Sequence, residues 1–331
     1  MALRVCHHTL KNPSGLNMMS VHMAVAEKKL GIDSYVTFST DPEFALKPND
    51  PSQIEFISQK DAMEADIHVS HSSTPKDAKG KVVHFAHGTP ETNMYLSMEE
   101  QINHGSRARY LMASAIASVN HNDATVTFWP RHQYIWKSLA PHARIELVPM
   151  GQNTDFWKPV IPQYKWPGDP SIFNCENCHN IKWPLDLFLA FPEVMRETNA
   201  VLHAHYIPQN QHHLWYPIIT ANAVITRAFI SSTIFDSTTL LDAFSAVDYY
   251  VNPVRYGDFN TIGLQAKACG CKVISYKGNP YSDFWLDEGD QRVIARQLID
   301  IFKGNVQPRV TEKVPVMEDM AKAMIKIYET L

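Results

Sequence analysis

Between Asp248 and Gly270 the chain reads DYYVNPVRYGDFNTIGLQAKACG, and no other stretch limits the fold as tightly. A β-rich run, Tyr249 to Val251, stops at Asn252-Pro253. A short loop with Gly257, Asp258 and Asn260 follows, then an apolar, small-residue helix from about Ile262 to Cys269. Gly270 closes that helix, and a strand from Lys272 to Tyr276 begins at once. Strand, loop, helix and strand in this order form a βαβ unit. In open α/β sheets, ligands bind at the loop after such a strand. The first turn of the following helix offers free backbone N–H groups to an anion.

The same alternation recurs along the chain. In the N-terminal half, Leu3 to His7 reads as a strand, Thr9 to Leu16 as a polar turn, and about Ser20 to Leu30 as an amphipathic helix stopped by Gly31. Tyr35 to Phe38, Ile67 to Ser70, Val82 to Ala86, Thr125 to Phe128 and Ile145 to Val148 read as further short strands. The order predicts a parallel sheet with helices on both faces. Pro159, Pro162, Pro167, Gly168 and Pro170 crowd the segment Trp157 to Pro170, as suits an interdomain linker. A second series follows: strand Ile172 to Asn174, helix Leu185 to Glu197, strand Val201 to Tyr206, helix Ser237 to Ala246, then the unit above. An amphipathic helix, about Val316 to Tyr328, ends it. The expected class is α/β, with a first domain over 1–158, a second over 170–313, and a terminal helix within 314–331.

Bulk properties narrow the partners. Hydrophobic residues make up 45% and charged residues 19% of 331, which is globular composition. A net charge of −4 supplies no bulk field for polyanions. No apolar run is long enough for a membrane span. The start, MALRVCHHTL, lacks a cationic leader with an apolar core, and the five cysteines are sparse, so a reducing cytoplasmic setting is expected. Cys175-Glu176-Asn177-Cys178-His179 matches the haem-attachment pattern and half a zinc site. Haem attachment needs export and zinc needs a second ligand pair, so no metal is expected. Arg131 and His132, beside Trp129, Trp136 and Lys137, read either as an acceptor platform or as helix packing. The spacing of the two tryptophans favours packing.

Several segments in order resemble retaining glycosyltransferases of the two-Rossmann (GT-B) architecture, family four. Pro253, Phe259, Leu264, Ala266, Ala268 and Gly270 fall in register with the family's nucleotide-sugar-binding segment. GQNTDFWKP (Gly151 to Pro159) is similar to its signature at the end of the first domain. IKWPLDLFLAF (Ile181 to Phe191) and LLDAFSAVDYYVNP (Leu240 to Pro253) match its lysine segment and the helix and strand before the binding loop. The resemblance covers most of the chain and is densest from Gly151 to Gly278.

The resemblance implies two Rossmann-like domains facing across a cleft. It also implies a nucleoside-diphosphate sugar as co-substrate, retention at the anomeric carbon, no obligatory cofactor, and a terminal helix that returns to the first domain. Lys182, opening a helix after a strand, would neutralise the leaving diphosphate. The family's arginine five residues earlier is Asn177 here, leaving Arg255 as a substitute. The family's paired acids fall on Gly257 and Gln265; Gln265 still hydrogen-bonds a ribose hydroxyl. Asp258 is adjacent to the first, standing either in its place or as a cap of the turn. Asn260 and Thr261 would meet the diphosphate. Ser14 and Gly15 occupy the family's glycine-rich turn on the donor side. His87, after a first-domain strand, would approach the donor sugar, and Glu91, Arg131 and His132 are acceptor-side candidates. The acceptor is expected to be a glycan or small molecule. A hydroxymethylated DNA base held by Lys28, Lys29, Arg107, Arg109 and Arg131 is the alternative. With both acids replaced, a catalytically silent nucleotide-sugar-binding or scaffold protein is a second alternative.

Overall fold

The computed structural model describes residues 3–10, 15–38, 54–71, 77–87, 107–175, 185–205, 228–231, 235–254 and 261–331. The chain divides into two compact units, Met1–Asn153 with Pro315–Leu331, and Thr154–Val314.

The first unit is built on β1 (Arg4–Thr9), β2 (Asp33–Phe38), β3 (Ile67–Ser70), β4 (Lys81–Phe85), β5 (Ala124–Thr127) and β6 (Ile145–Leu147). They form one sheet in the order β2-β1-β3-β4-β5-β6, with every pair parallel. β1, β3 and β5 are buried along nearly their whole length, with the polar His7, His8, Thr9, His68, Ser70, Thr125 and Thr127 inside as well, as fits parallel strands covered on both faces. The helices are α1 (Gly15–Lys29), the short α2 (Gln59–Ala62), α3 (Arg107–His121), α4 (Pro130–Leu139) and, from the end of the chain, α9 (Met317–Tyr328). α1 is described from Gly15 onward, ahead of the expected start near Ser20.

α9 packs on α1. A glycine makes the entry possible: a Cβ on Gly151 would stand 2.7 Å from the backbone of both Val316 and Met317. The chains then lock, Gln152 N–H donating to Pro315 O at 2.9 Å and Met317 N–H to Gln152 O at 3.0 Å. On the sheet's other half, Trp136 packs with Val119, Ala86 and Ile145. Trp129 and Trp136 are both buried, as helix packing requires.

The second unit holds β7 (Ser171–Asn174), β8 (Val201–Ala204), β9 (Ala228–Ile230), β10 (Tyr249–Asn252), β11 (Lys272–Tyr276) and β12 (Phe284–Leu286), in the order β12-β11-β10-β7-β8-β9. All pairs are parallel. One face carries α5 (Leu185–Glu197) and α8 (Gln291–Phe302), whose Leu187, Phe191, Val194, Leu298 and Ile294 bury against the strands. The other carries α6 (Ser237–Ala246) and α7 (Thr261–Ala268). Asp236 caps α6 by accepting from Thr239 N–H at 2.7 Å, and Asp290 caps α8. The proline-rich segment does not run free as a linker. Val160 N–H donates to Ser245 Oγ and Gln163 N–H to Asp242 Oδ1, strapping it over α6, while Trp157 and Trp166 pack into this unit's core.

Candidate active site

The first sheet changes direction of build between β1 and β3: from β1 the chain adds β2 on one side, then grows from β3 on the other. Open α/β sheets bind ligands at the carboxyl ends of strands flanking such a switch point. Three histidines meet there. His7 pairs with Val69 across β1 and β3, so both point to one face, and His71 follows on that face just past β3. His87 follows β4.

These residues form an unbroken hydrogen-bonded row. His87 Nε2 lies 2.9 Å from His71 Nδ1, His71 Nε2 lies 3.0 Å from His7 Nδ1, and His7 Nε2 lies 2.8 Å from Glu27 Oε2. Glu27 comes from α1 and is anchored twice more. Ser34 Oγ donates to Oε2 at 2.7 Å, and the Tyr328 hydroxyl of α9 donates to Oε1 at 2.8 Å. His7, Glu27 and Ser34 are fully buried, His71 nearly so, and His87 is partly exposed at the end of the row. Phe85 stacks beside both His71 and His87, at 4.6 and 5.6 Å between ring centres, and limits their rotation.

Burial sets the charge states. It pushes His71 well below the usual imidazole range, and the neighbouring His87, His7, His84 and His8 add to the effect. It pushes His87 down to about 3, helped by His84. The Tyr328 phenol is raised well above its ordinary value by burial, then by the charge and hydrogen bond of Glu27, and so stays a donor. His71 and His87 are therefore neutral near pH 7. On the opposite face His8 and His68 form a second buried pair at 3.0 Å. Burial, with His68 and His7, lowers His8 to about 3.

The second sheet has its switch point between β7 and β10. Their ends are tied by Asn174 Nδ2 donating to Val251 O at 2.8 Å. α7 starts from this edge. Thr261 is its first residue and Gln265 lies one turn on, so the two share a face, both half-buried. Asp186, in the first turn of α5, is fully buried and accepts from the Tyr276 hydroxyl, so it points inward.

Of the residues expected from sequence, His87 stands at the first switch point, and Thr261 and Gln265 at the N-terminus of α7. Gly15 is the first residue of α1. Arg131 is exposed on α4, whereas His132 on the same helix is buried, so the two do not present one surface. Trp129 and Trp136 are both buried and do not form an aromatic platform beside Arg131; Tyr134 is the exposed aromatic of α4. Ser14, Glu91, Lys182, Arg255, Gly257, Asp258 and Asn260 lie outside the described residues, as do Asn177, Cys178 and His179. Lys28 and Lys29 end α1, which runs back to the opposite edge of the sheet. Lys28 covers the Tyr35 ring and Lys29 pairs with Glu318; the side chains of Arg107 and Arg109 lie outside those described. Among the described residues no cluster of histidine, cysteine or acid fits a metal ion. No described helix is long and apolar enough to cross a membrane.

Sequence reasoning missed Glu27, His7, His71 and Tyr328. One signal was present: in α1 the apolar stripe through Met23 and Ala24 continues into Glu27, and an acid on a buried stripe needs partners.

No protein-family model matches the sequence, and no curated protein sequence matches it. Solved structures do. Sucrose-phosphate synthase from Thermosynechococcus elongatus superposes with a TM-score of 0.74 at 14% identity, over 99% of this chain and 98% of that one. HepE from Anabaena, solved with UDP and glucose, gives 0.65 at 11% identity over 99% and 98%. WaaG, a glycosyltransferase involved in lipopolysaccharide biosynthesis, gives 0.64 at 13% identity over 99% and 95%. The fold is thus that of GT-B proteins, two Rossmann-like doubly wound units along nearly the whole chain.

Proposed function

We propose that the protein is a glycosyltransferase that moves a sugar from a nucleoside-diphosphate sugar to an acceptor hydroxyl with retention. The observation that carries this reading is the end-to-end match to GT-B structures, with a partly exposed neutral histidine at the first sheet's switch point. HepE was solved with UDP and glucose, which makes UDP-glucose the first donor to test. In the reaction the bond from the anomeric carbon to the diphosphate oxygen breaks, the acceptor oxygen bonds to that carbon from the same face, and the departing phosphate takes the acceptor proton. The protein's part is electrostatic. Lys182 and the N-terminus of α7, with Thr261 and Asn260, stabilise the diphosphate; Arg255, Ser14 and Gly15 complete the donor site. Gln265 holds a ribose hydroxyl, Asp258 and His87 face the sugar, and Glu91 with Arg131 lies on the acceptor side. His132 is buried and acts through packing. The acceptor is a glycan or small molecule; the alternative, a hydroxymethylated DNA base, would be removed by absence of DNA binding even at low salt.

The test is thermal stabilisation by UDP-, GDP-, ADP- and CMP-linked sugars, comparing wild type with Lys182→Ala. Stabilisation by one donor that weakens in the variant supports the reading; stabilisation by none sinks it. A second reading, a binder without catalysis, is favoured by Gln265 standing where the family has an acid. Donor binding with no transfer to any acceptor would establish it.

A further inference from the structure

We infer that Glu27 is a positioning residue that, through His7 and His71, holds His87 in the tautomer with its proton on Nε2 and its lone pair on Nδ1. A carboxylate offers only acceptors, and each group on Glu27 is placed to donate: Ser34 Oγ, the Tyr328 hydroxyl and His7 Nε2. The inferred row has a single ring proton on His7, at Nε2, so that its Nδ1 is an acceptor; a second proton on His7 would donate from Nδ1 and reverse every bond, the outcome that a protonated Nδ1 on His87 would report. The 3.0 Å contact then makes His71 donate from Nε2. A neutral imidazole has one ring proton, so His71 Nδ1 accepts, and the 2.9 Å contact makes His87 donate from Nε2. The carboxylate together with a singly protonated His7 thus sets the direction of every bond in the row. Burial of His71, the middle ring, disfavours a second proton that would break the sequence of donors and acceptors.

The consequence for chemistry is selective. Nδ1 of His87 meets a hydroxyl, which can donate, and not a phosphate oxygen, which carries only lone pairs. Under the transferase reading, on which this one step rests, His87 holds a sugar hydroxyl rather than the diphosphate.

The test reads the tautomers directly. Long-range proton–nitrogen NMR spectra of the ¹⁵N-labelled full chain separate a protonated ring nitrogen from a bare one, with no donor or acceptor present. His7, His71 and His87 are each expected to show a protonated Nε2 and a bare Nδ1. A protonated Nδ1 on His87, or a mixture, overturns the inference. Glu27→Gln keeps the shape but can donate or accept, so the single tautomer at His87 should be lost; its retention also overturns the inference. Should that variant fail to fold, the wild-type spectrum decides alone. With an active donor in hand, Glu27→Gln should lower kcat at least about tenfold with donor KM little changed, and an unchanged kcat refutes the positioning role. A wild-type chain that binds no donor sinks the transferase reading and leaves the tautomer result standing. A mixed tautomer does the reverse.

Discussion

Tyr328→Phe isolates one atom of the buried network. The two residues lie 301 positions apart in sequence, and their contact ties α9 to α1. The substitution keeps the ring, which is 4% exposed, so apolar burial is retained and only the hydroxyl goes. Glu27 Oε2 keeps Ser34 and His7, but Oε1 loses the donor at 2.8 Å. A hydrogen bond to a charged group contributes about 1.5–3 kcal/mol, and leaving a buried charged acceptor unmet moves the cost toward the upper end. We expect a loss of about 2–3 kcal/mol, which for a unit of this size lowers Tm by about 4–10 °C. Urea unfolding should show an earlier midpoint at unchanged slope, since the surface exposed is the same. A double-mutant cycle with Glu27→Gln should return a coupling of the same order. A loss under about 0.5 kcal/mol, or strict additivity in the cycle, would refute the account of Glu27 as a charge held by three donors.

Acid should unfold the first unit early. His8 and His71 have folded-state pKa values below the ordinary 6.5, so the unfolded chain binds more protons beneath that value. Their contribution is fully present above about pH 6.5 and is lost as pH falls toward about 3 for His8. Each costs about 1 kcal/mol per pH unit below about 6; denaturant midpoints that stay flat from pH 7 to pH 5 would contradict this. Gly151→Ala forces a Cβ within 2.7 Å of the backbone at Val316 and Met317, where no flexible side chain can yield. A loss of about 2 kcal/mol or more is expected, read as a lower Tm, and a neutral result would mean that α9 enters differently.

Much of the fold was legible because each element carried its own signal. The βαβ unit from β10 to β11, the helices α5 and α6, and strands β3 and β11 lie where apolar runs and their polar breaks place them. α1 reaches back to Gly15, whereas the sequence pattern starts it near Ser20 because Asn-Pro-Ser-Gly is turn chemistry. α8 carries its own signal too, a stripe of Ile294, Ala295, Leu298 and Ile301 behind the Asp290 cap, although no helix is among those expected there from the sequence. Its three-residue neighbour β12, set among aspartates and a glycine, hid the alternation that would have flagged it.

The candidate site was legible only at its exposed end, and the reason is physical. His87 announces itself by following a strand, whereas the row behind it exists only after β1, β3 and β4 align in register and α1 and α9 close over one face. No local pattern joins Glu27 to Tyr328. A buried acid nevertheless requires donors from somewhere in the fold, because leaving it unmet costs more than most single contacts supply. Three side chains from separate parts of the chain, Ser34, Tyr328 and His7, meet that demand, and His71 and His87 extend the row from His7. Under the inferred tautomers, the same series sets whether the other nitrogen of His87 accepts or donates. What stabilises the junction of α1 and α9 also prescribes the chemistry that the strand-end histidine can perform.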